Sequence, residues 1–136
     1  MTEEKKFVVE SKTKISLTEE DVSDLVITAL CGGIGYWACL DNSTPEFEAM
    51  SEEDYTDEWT AKILLNGGEV LFLEEPDRKE QFVLTLEKLL HGITLYIEKG
   101  YDHYGVFGSE VDMGCCDSEC ADMIVQLALF EEIVYG

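Results

Sequence analysis

The chain has 136 residues, 46% of them hydrophobic, and its 30 Asp and Glu against 9 Lys and Arg give a net charge of −21. A chain of this length and apolar content can bury a real core, so disorder throughout is excluded. A surface this acidic repels nucleic acid and anionic membranes and attracts basic proteins, which excludes direct nucleic-acid binding and membrane association. No apolar run approaches the ~18 residues of a membrane span, and the first residues lack a signal-peptide core, so we expect a cytoplasmic protein.

The start of the chain predicts a short strand and a capped helix. Residues 1–11 are polar and mixed in charge, and we expect a flexible N-terminus there, followed by a single domain over residues 12–136. The segment Lys12–Leu17 predicts a strand. Thr18 and Asp21 fit a capping box. Apolar residues then recur with helical spacing on one face (Val22, Leu25, Val26, Ala29 and Leu30).

Glycines and aromatic residues close this first helix. Gly32 and Gly33 are expected to end it, since a left-handed residue after the last turn costs glycine little. Tyr36 and Trp37 follow, and we expect both to pack in the core beside the helix. The letters from Gly33 onward also match a dinucleotide-binding turn, but that motif follows a strand and opens a helix, so a nucleotide site is rejected.

The next segments predict a second helix and a hairpin. After a strand over Ala38–Leu40 comes an acidic segment, Asp41–Glu58, in which Ser51 and Asp54 again fit a helix cap. Aromatic and apolar residues at helical spacing follow (Tyr55, Trp59 and Ile63), and Asn66-Gly67-Gly68 ends that helix. The apolar runs Glu69–Glu75 and Glu80–Thr85 flank a Pro76-Asp77-Arg78-Lys79 turn and predict a β-hairpin.

Two further helices complete the prediction. Apolar residues at helical spacing begin at Leu86 and stop at Gly100, and an irregular stretch follows over Tyr101–Gly114. Asp117 or Ser118 can cap a last helix, Glu119–Phe130, which is apolar nearly all round and therefore belongs at the centre of the core. The predicted fold is a compact α+β domain with a small antiparallel sheet packed with three to four helices.

The cysteines are the main candidates for chemistry. Cys115, Cys116 and Cys120 lie close together, and a zinc site would need a fourth ligand (Cys31, Cys39, His91 or His103). Because the chain has no Cys-x-x-Cys pair, free thiols are the expected state, with no metal and no cofactor. A Cys–His nucleophile pair lacks any surrounding motif, so we expect no enzyme activity.

The charge itself suggests a mechanism. A compact domain of this size is about 35 Å across. A duplex of that length carries about 20 phosphates, close to the net charge of −21. The surface is therefore either an imitation of nucleic acid or a solvated acidic surface that needs no partner.

Three blocks of the sequence resemble small acidic accessory proteins of phages and mobile elements of Gram-positive bacteria. They are LTEEDVSDLVITALCGGIGYW, LTLEKLLHGITLYIEKG and CADMIVQLALFEEIVYG, and together they cover under half of the chain. The resemblance transfers no catalytic residue. It implies a protein that acts inside an infected bacterial cell, a setting in which many proteins inhibit host nucleases and several imitate DNA in charge.

These observations combine into one leading hypothesis and one alternative. The first is a non-enzymatic inhibitor (anti-CRISPR or anti-restriction) of a basic nucleic-acid-binding complex of the host, with homodimerisation left open. Its partner-binding carboxylates would be Glu46, Glu48, Glu52, Glu53, Asp54, Asp57 and Glu58, followed by Asp112, Asp117 and Glu119. The alternative is a small-molecule-binding or sequestering protein with a pocket near Tyr36, Trp37 and the loop from Tyr101 to Phe107.

Overall fold

Four helices and two small antiparallel sheets make up the part of the chain that the computed structural model describes, residues 6–10, 14–75, 77 and 79–136. The strands are β1 (Lys6–Glu10), β2 (Lys14–Thr18), β3 (Ala38–Leu40), β4 (Val70–Glu74) and β5 (Gln81–Leu84). The helices are α1 (Glu19–Thr28), α2 (Thr56–Leu65), α3 (Leu86–Glu98) and α4 (Ser118–Phe130). The predicted α+β fold class is confirmed.

The two sheets have simple antiparallel topology. One consists of β1 paired with β2, with Phe7 opposite Leu17. The other has the order β3-β4-β5. Phe72 lies at its centre, opposite Leu40 on one side and Phe82 on the other. The predicted hairpin is confirmed as β4 and β5, while Pro76 and Arg78 of its turn lie outside the described residues.

The N-terminus differs from the prediction. Residues 6–10, expected to belong to a flexible start, form β1 and pair with β2 along its length. Val9 is buried, so this strand contributes to the core. The run of three consecutive apolar residues in this strand is too short to signal it without the partner strand. Residues 1–5 and 11–13 lie outside the described part of the chain.

The first helix begins as predicted and ends differently. Thr18 and Asp21 form the capping box, with Asp21 N donating to Thr18 Oγ1 at 3.1 Å and Thr18 N to Asp21 Oδ2 at 2.9 Å. Past Thr28 the chain widens into a π-helical turn, Ala29–Gly33. The positive-φ glycines of the described chain do not include Gly33, so the expected left-handed cap is wrong. Gly33 is needed for close approach instead, because a Cβ there would lie 3.0 Å from the Ser118 backbone oxygen.

The next two helices, α2 and α3, begin and end with the expected capping residues, with one exception. Gly67 and Gly100 take the left-handed conformation just after α2 and α3, as predicted. Thr85 caps α3 by accepting from Lys88 N. The predicted cap of the second helix is wrong, because α2 begins at Thr56 with no side-chain cap, and Ser51 and Asp54 close a separate turn before it.

The last helix lies at the centre of the core, as its apolar composition predicted. α4 packs against α3, α1, β5 and the π-helical turn. It comes close to α3 at Gly92, where a Cβ would lie 2.5 Å from the Ile124 carbonyl oxygen. None of the helices in the described residues is long and apolar enough to span a bilayer.

Candidate partner-binding surface

The acidic segment between β3 and α2 is anchored at two aromatic residues. Phe47 is buried in a short 3-10 turn, Pro45–Phe47. The indole Nε1 of Trp59, on α2, donates to the Glu46 backbone oxygen at 2.9 Å. The segment is therefore held against the core by its apolar side chains while its glutamates point to solvent.

The seven acids predicted in this segment, the first acidic group, differ in what their carboxylates bind. Asp54 accepts from the backbone nitrogen of Ser51 at 2.9 Å, and this bond lowers the pKa of its carboxyl group. Asp57 accepts from the Cys31 thiol at 3.1 Å and from Glu58 N at 2.8 Å. The other five are exposed, and within the described residues their carboxylates make no hydrogen bond or ion pair (Glu46, Glu48, Glu52, Glu53 and Glu58).

The other three predicted acids, the second acidic group, lie at or near the start of α4. Asp117 is its N-cap and accepts from Cys120 N at 2.8 Å. Asp112 caps a 3-10 turn, Met113–Cys115, by accepting from Gly114 N. Glu119 is exposed in the first turn of α4, where a negative charge is favourable to the helix dipole. Two of these three carboxylates therefore have a local structural role.

The π-helical turn Ala29–Gly33 contacts both the acidic segment, at Asp57, and the start of α4, at Ser118. Cys31, in this turn, donates its thiol hydrogen to Asp57 at the start of α2. On the other side, Gly32 and Gly33 lie against Ser118 at the start of α4. The first turns of two helices, some 60 residues apart in the sequence (57 against 117), thus contact the same π-helical turn.

Cationic side chains are scarce around this surface. The sequence has no Lys or Arg between Lys14 and Lys62 and none after Lys99. The Lys62 ammonium lies 5.7 Å from the centre of the Trp59 ring. Within the described chain, the carboxylates of both groups form no ion pair with Lys or Arg. Their charge is therefore available to a basic partner.

An apolar cavity of about 330 Å³ opens beside the same turn. Its walls include Leu30, Ile34 and Leu40, and the Cys31 thiol and the Asp57 carboxylate lie at its polar edge. The hydrogen bond to Asp57 raises the pKa of the Cys31 thiol, so this sulfur is held in its protonated form. The cavity offers apolar contact and one negative charge.

Tyr36 and Trp37 do not behave alike. Trp37 is 1% exposed, as predicted for a core residue, but the prediction is wrong for Tyr36, which is 57% exposed. Both side chains bind one buried carboxylate, Asp122 on α4. Its Oδ1 accepts from Trp37 Nε1 at 2.7 Å and its Oδ2 from the Tyr36 hydroxyl at 2.6 Å. Neither aromatic residue lines the cavity, whereas their neighbours Gly35 and Ala38 do.

Gln126 extends this buried cluster to the C-terminal residues. Its Nε2 donates to Asp122 Oδ1 at 2.9 Å, and its Oε1 accepts from the backbone nitrogens of Val134 and Tyr135, both at 2.8 Å. The Tyr135 ring stacks on Trp37 at 4.9 Å, and its hydroxyl donates to Glu74. Burial and the Asp122 bond raise the pKa of Tyr36 to about 12, and the Glu74 bond raises that of Tyr135 to about 12. The cluster fastens the chain end to the core.

Sequence reasoning missed this cluster, although one signal for it was present. Past the first turn of α4, Asp122 and Gln126 are the polar residues of an otherwise apolar helix, and their spacing of four places them on one face. Buried polar groups need hydrogen-bond partners, so such a pair predicts a buried network. The identity of its partners, Tyr36 and Trp37, depends on the tertiary fold.

The cysteines do not form a metal centre. Among the described residues, no group of three or more His, Cys, Asp and Glu is placed to hold a metal ion. All five thiols are free, and Cys116 and Cys120 are buried with their sulfurs 3.2 Å apart. Cys31 and Cys115 are exposed. The residues considered as zinc ligands are therefore not brought together, except for this one pair.

The sequence and the structure were compared with those of known proteins. No protein-family model, curated protein or solved structure matches the chain significantly.

Proposed function

We propose that this chain is a non-enzymatic inhibitor of a bacterial nucleic-acid-binding defence complex, such as a CRISPR effector or a restriction enzyme. Its acidic surface would occupy the Lys- and Arg-lined channel that normally holds nucleic acid. The observation that carries the proposal is that the acidic segment, through Asp57, and the start of α4, through Ser118, both contact the turn Ala29–Gly33, while the sequence has no Lys or Arg over residues 15–61 or after Lys99.

Charge complementarity supplies the physical basis. Such a surface steers a basic partner and gives fast association that weakens with salt. The unbonded glutamates have no local structural role, so their charge is free to act on a partner. At about 1 kcal/mol per contact, four carboxylates together contribute about 4 kcal/mol, which is about a thousandfold in Kd.

We expect a four-site variant of these glutamates to lose its partner. Glu48→Gln, Glu52→Gln, Glu53→Gln and Glu58→Gln remove four charges without touching the bonded Asp54 and Asp57. The immobilised protein is exposed to a nuclease-treated bacterial lysate and washed at low and high salt. The wild type should retain a nucleic-acid-binding complex at low salt and release it at high salt or on adding duplex DNA, and the variant should retain none.

A matched control separates a specific surface from bulk charge. The substitutions Glu69→Gln, Glu87→Gln, Glu98→Gln and Glu132→Gln remove the same number of charges from exposed glutamates elsewhere. This control should bind like the wild type. Equal loss in both variants, or a complex that survives high salt, would contradict recognition by this acidic surface.

The cavity beside the turn favours a second candidate function, the binding or sequestering of a small molecule. A volume of about 330 Å³ with apolar walls and one carboxylate at the edge suits a small apolar amine. Phenethylamine should raise the melting temperature of the wild type but not of Asp57→Asn, while the matched anion phenylacetate should have no effect. Equal shifts by both compounds, or none by either, would argue against this function.

A further inference from the structure

Two buried thiols face each other at the start of α4. The Cys116 and Cys120 sulfurs are 3.2 Å apart, and the two residues are 7% and 4% exposed. Cys116 immediately precedes the N-cap Asp117, and Cys120 lies in the first turn of the helix. A disulfide bond requires about 2.0 Å between sulfurs. Because the sulfurs are only about 1 Å farther apart than this, a small shift of the two side chains would bring them to bonding distance.

One of the two sulfurs is placed to react. Cys120 lies in the wall of a cavity of about 320 Å³ that Tyr96 and Tyr101 also line. Hydrogen bonds from the Cys116 thiol and from the Tyr96 hydroxyl lower the pKa of Cys120, and a sulfur near a helix N-terminus is stabilised as thiolate. The same pairing and burial raise the pKa of Cys116. Cys120 is therefore the more readily ionised and more nucleophilic sulfur of the pair, while Cys116 keeps its proton.

We propose that Cys116 and Cys120 are a reactive dithiol that a small neutral hydroperoxide converts reversibly into an intramolecular disulfide. The inference is independent of the inhibitor function. Asp117 and Glu119 also line the cavity, so its negative charge disfavours anionic oxidants such as glutathione disulfide and admits hydrogen peroxide.

The reaction balances in two steps. The Cys120 thiolate, whose proton has passed to solvent, attacks one peroxide oxygen and the O–O bond breaks. The departing hydroxide takes a proton from solvent to become water, which leaves a sulfenic acid on Cys120. The Cys116 sulfur then attacks the Cys120 sulfur, the S–O bond breaks, and the hydroxide leaves as water with the proton of Cys116. Two electrons pass from the sulfurs to the peroxide, and a dithiol such as dithiothreitol returns them.

The test compares four sulfurs of the intact chain. Cys31 and Cys115 are exposed, but hydrogen bonds to Asp57 and Asp112 raise the pKa of their thiols, so they are internal controls. After treatment with hydrogen peroxide and alkylation, cleavage after Glu119 separates Cys116 from Cys120 unless a disulfide joins them. We expect Cys116 and Cys120 to disappear together, about tenfold faster than Cys31 or Cys115, and dithiothreitol to restore both.

Variants and a second oxidant make the outcome decisive. Cys115→Ser should form the same disulfide, which excludes the neighbouring thiol as the partner. In Cys116→Ser, Cys120 should accumulate as a sulfenic acid that dimedone traps, and glutathione disulfide should react with the wild type about tenfold more slowly than hydrogen peroxide does. Earlier oxidation of Cys31 or Cys115, or a disulfide from Cys115 to Cys120 in the wild type, would overturn the proposal.

Discussion

Replacing Asp122 with alanine is expected to lower the free energy of unfolding by about 3 kcal/mol, because a hydrogen bond to a charged group contributes about 1.5–3 kcal/mol. The carboxylate accepts from Tyr36, Trp37 and Gln126. Without it, the Trp37 indole nitrogen stays buried with no acceptor. Tyr36 is exposed enough to find water, so its bond contributes the smaller share.

The loss should be visible in two measurements. Urea unfolding at pH 7 gives the change in free energy, and the melting temperature should fall by about 10 °C. Amide exchange should also speed up at Val134 and Tyr135, since Asp122 holds the Gln126 side chain that accepts from both nitrogens. The second readout distinguishes release of the chain end from a general loss of stability.

An exposed acid on another helix serves as the control. Asp24 lies on the solvent side of α1, and within the described chain its carboxylate makes no hydrogen bond. Asp24→Ala should change stability by less than about 0.5 kcal/mol. Asp122→Asn keeps the shape and one acceptor, so it should fall between the two. A value for Asp122→Ala within about 1 kcal/mol of the wild type would mean that the buried cluster contributes little.

Local sequence signals predicted most of the helices and strands, and they failed where contacts between distant residues determine the structure. The capping box of Thr18 and Asp21 is a contact over three residues, so the sequence alone reveals it. The hydrogen bond from Trp37 to Asp122 joins residues 85 positions apart, and no local sequence pattern predicts it. The strand β1 was missed for the same reason, since its five residues form a strand by pairing with β2.

The candidate surface was predictable only in part. The acidic segment is obvious from composition, and its exposure follows from charge. Which of its acids are free is a tertiary property, because Asp57 is engaged by a cysteine 26 residues away. The nearness of Cys116 and Cys120 was readable from their spacing, whereas the cavity beside Cys120 depends on the loop after α3.

The other large effect is expected at Gly92, where α3 and α4 touch. A Cβ there would lie 2.5 Å from the Ile124 oxygen and 2.8 Å from the Ala128 nitrogen, and both are backbone atoms that cannot turn aside. Gly92→Ala should therefore push the helices apart and cost about 2–3 kcal/mol, as overpacking of a close core does. Urea unfolding measures the cost.

The sign of this result separates packing from helix propensity. At an exposed helix position, alanine stabilises by up to about 1 kcal/mol relative to glycine, so propensity alone predicts a gain. Gly32→Ala is the control, because a Cβ at this exposed position meets nothing closer than the Ser118 Cβ at 3.8 Å, an ordinary contact. This variant should be stabilised, by up to about 1 kcal/mol. A Gly92→Ala variant as stable as the wild type would mean that α3 and α4 can separate without a loss of free energy. The burial of Ile124 and Leu127 argues against this, because a close-packed core does not open to admit a methyl group without cost.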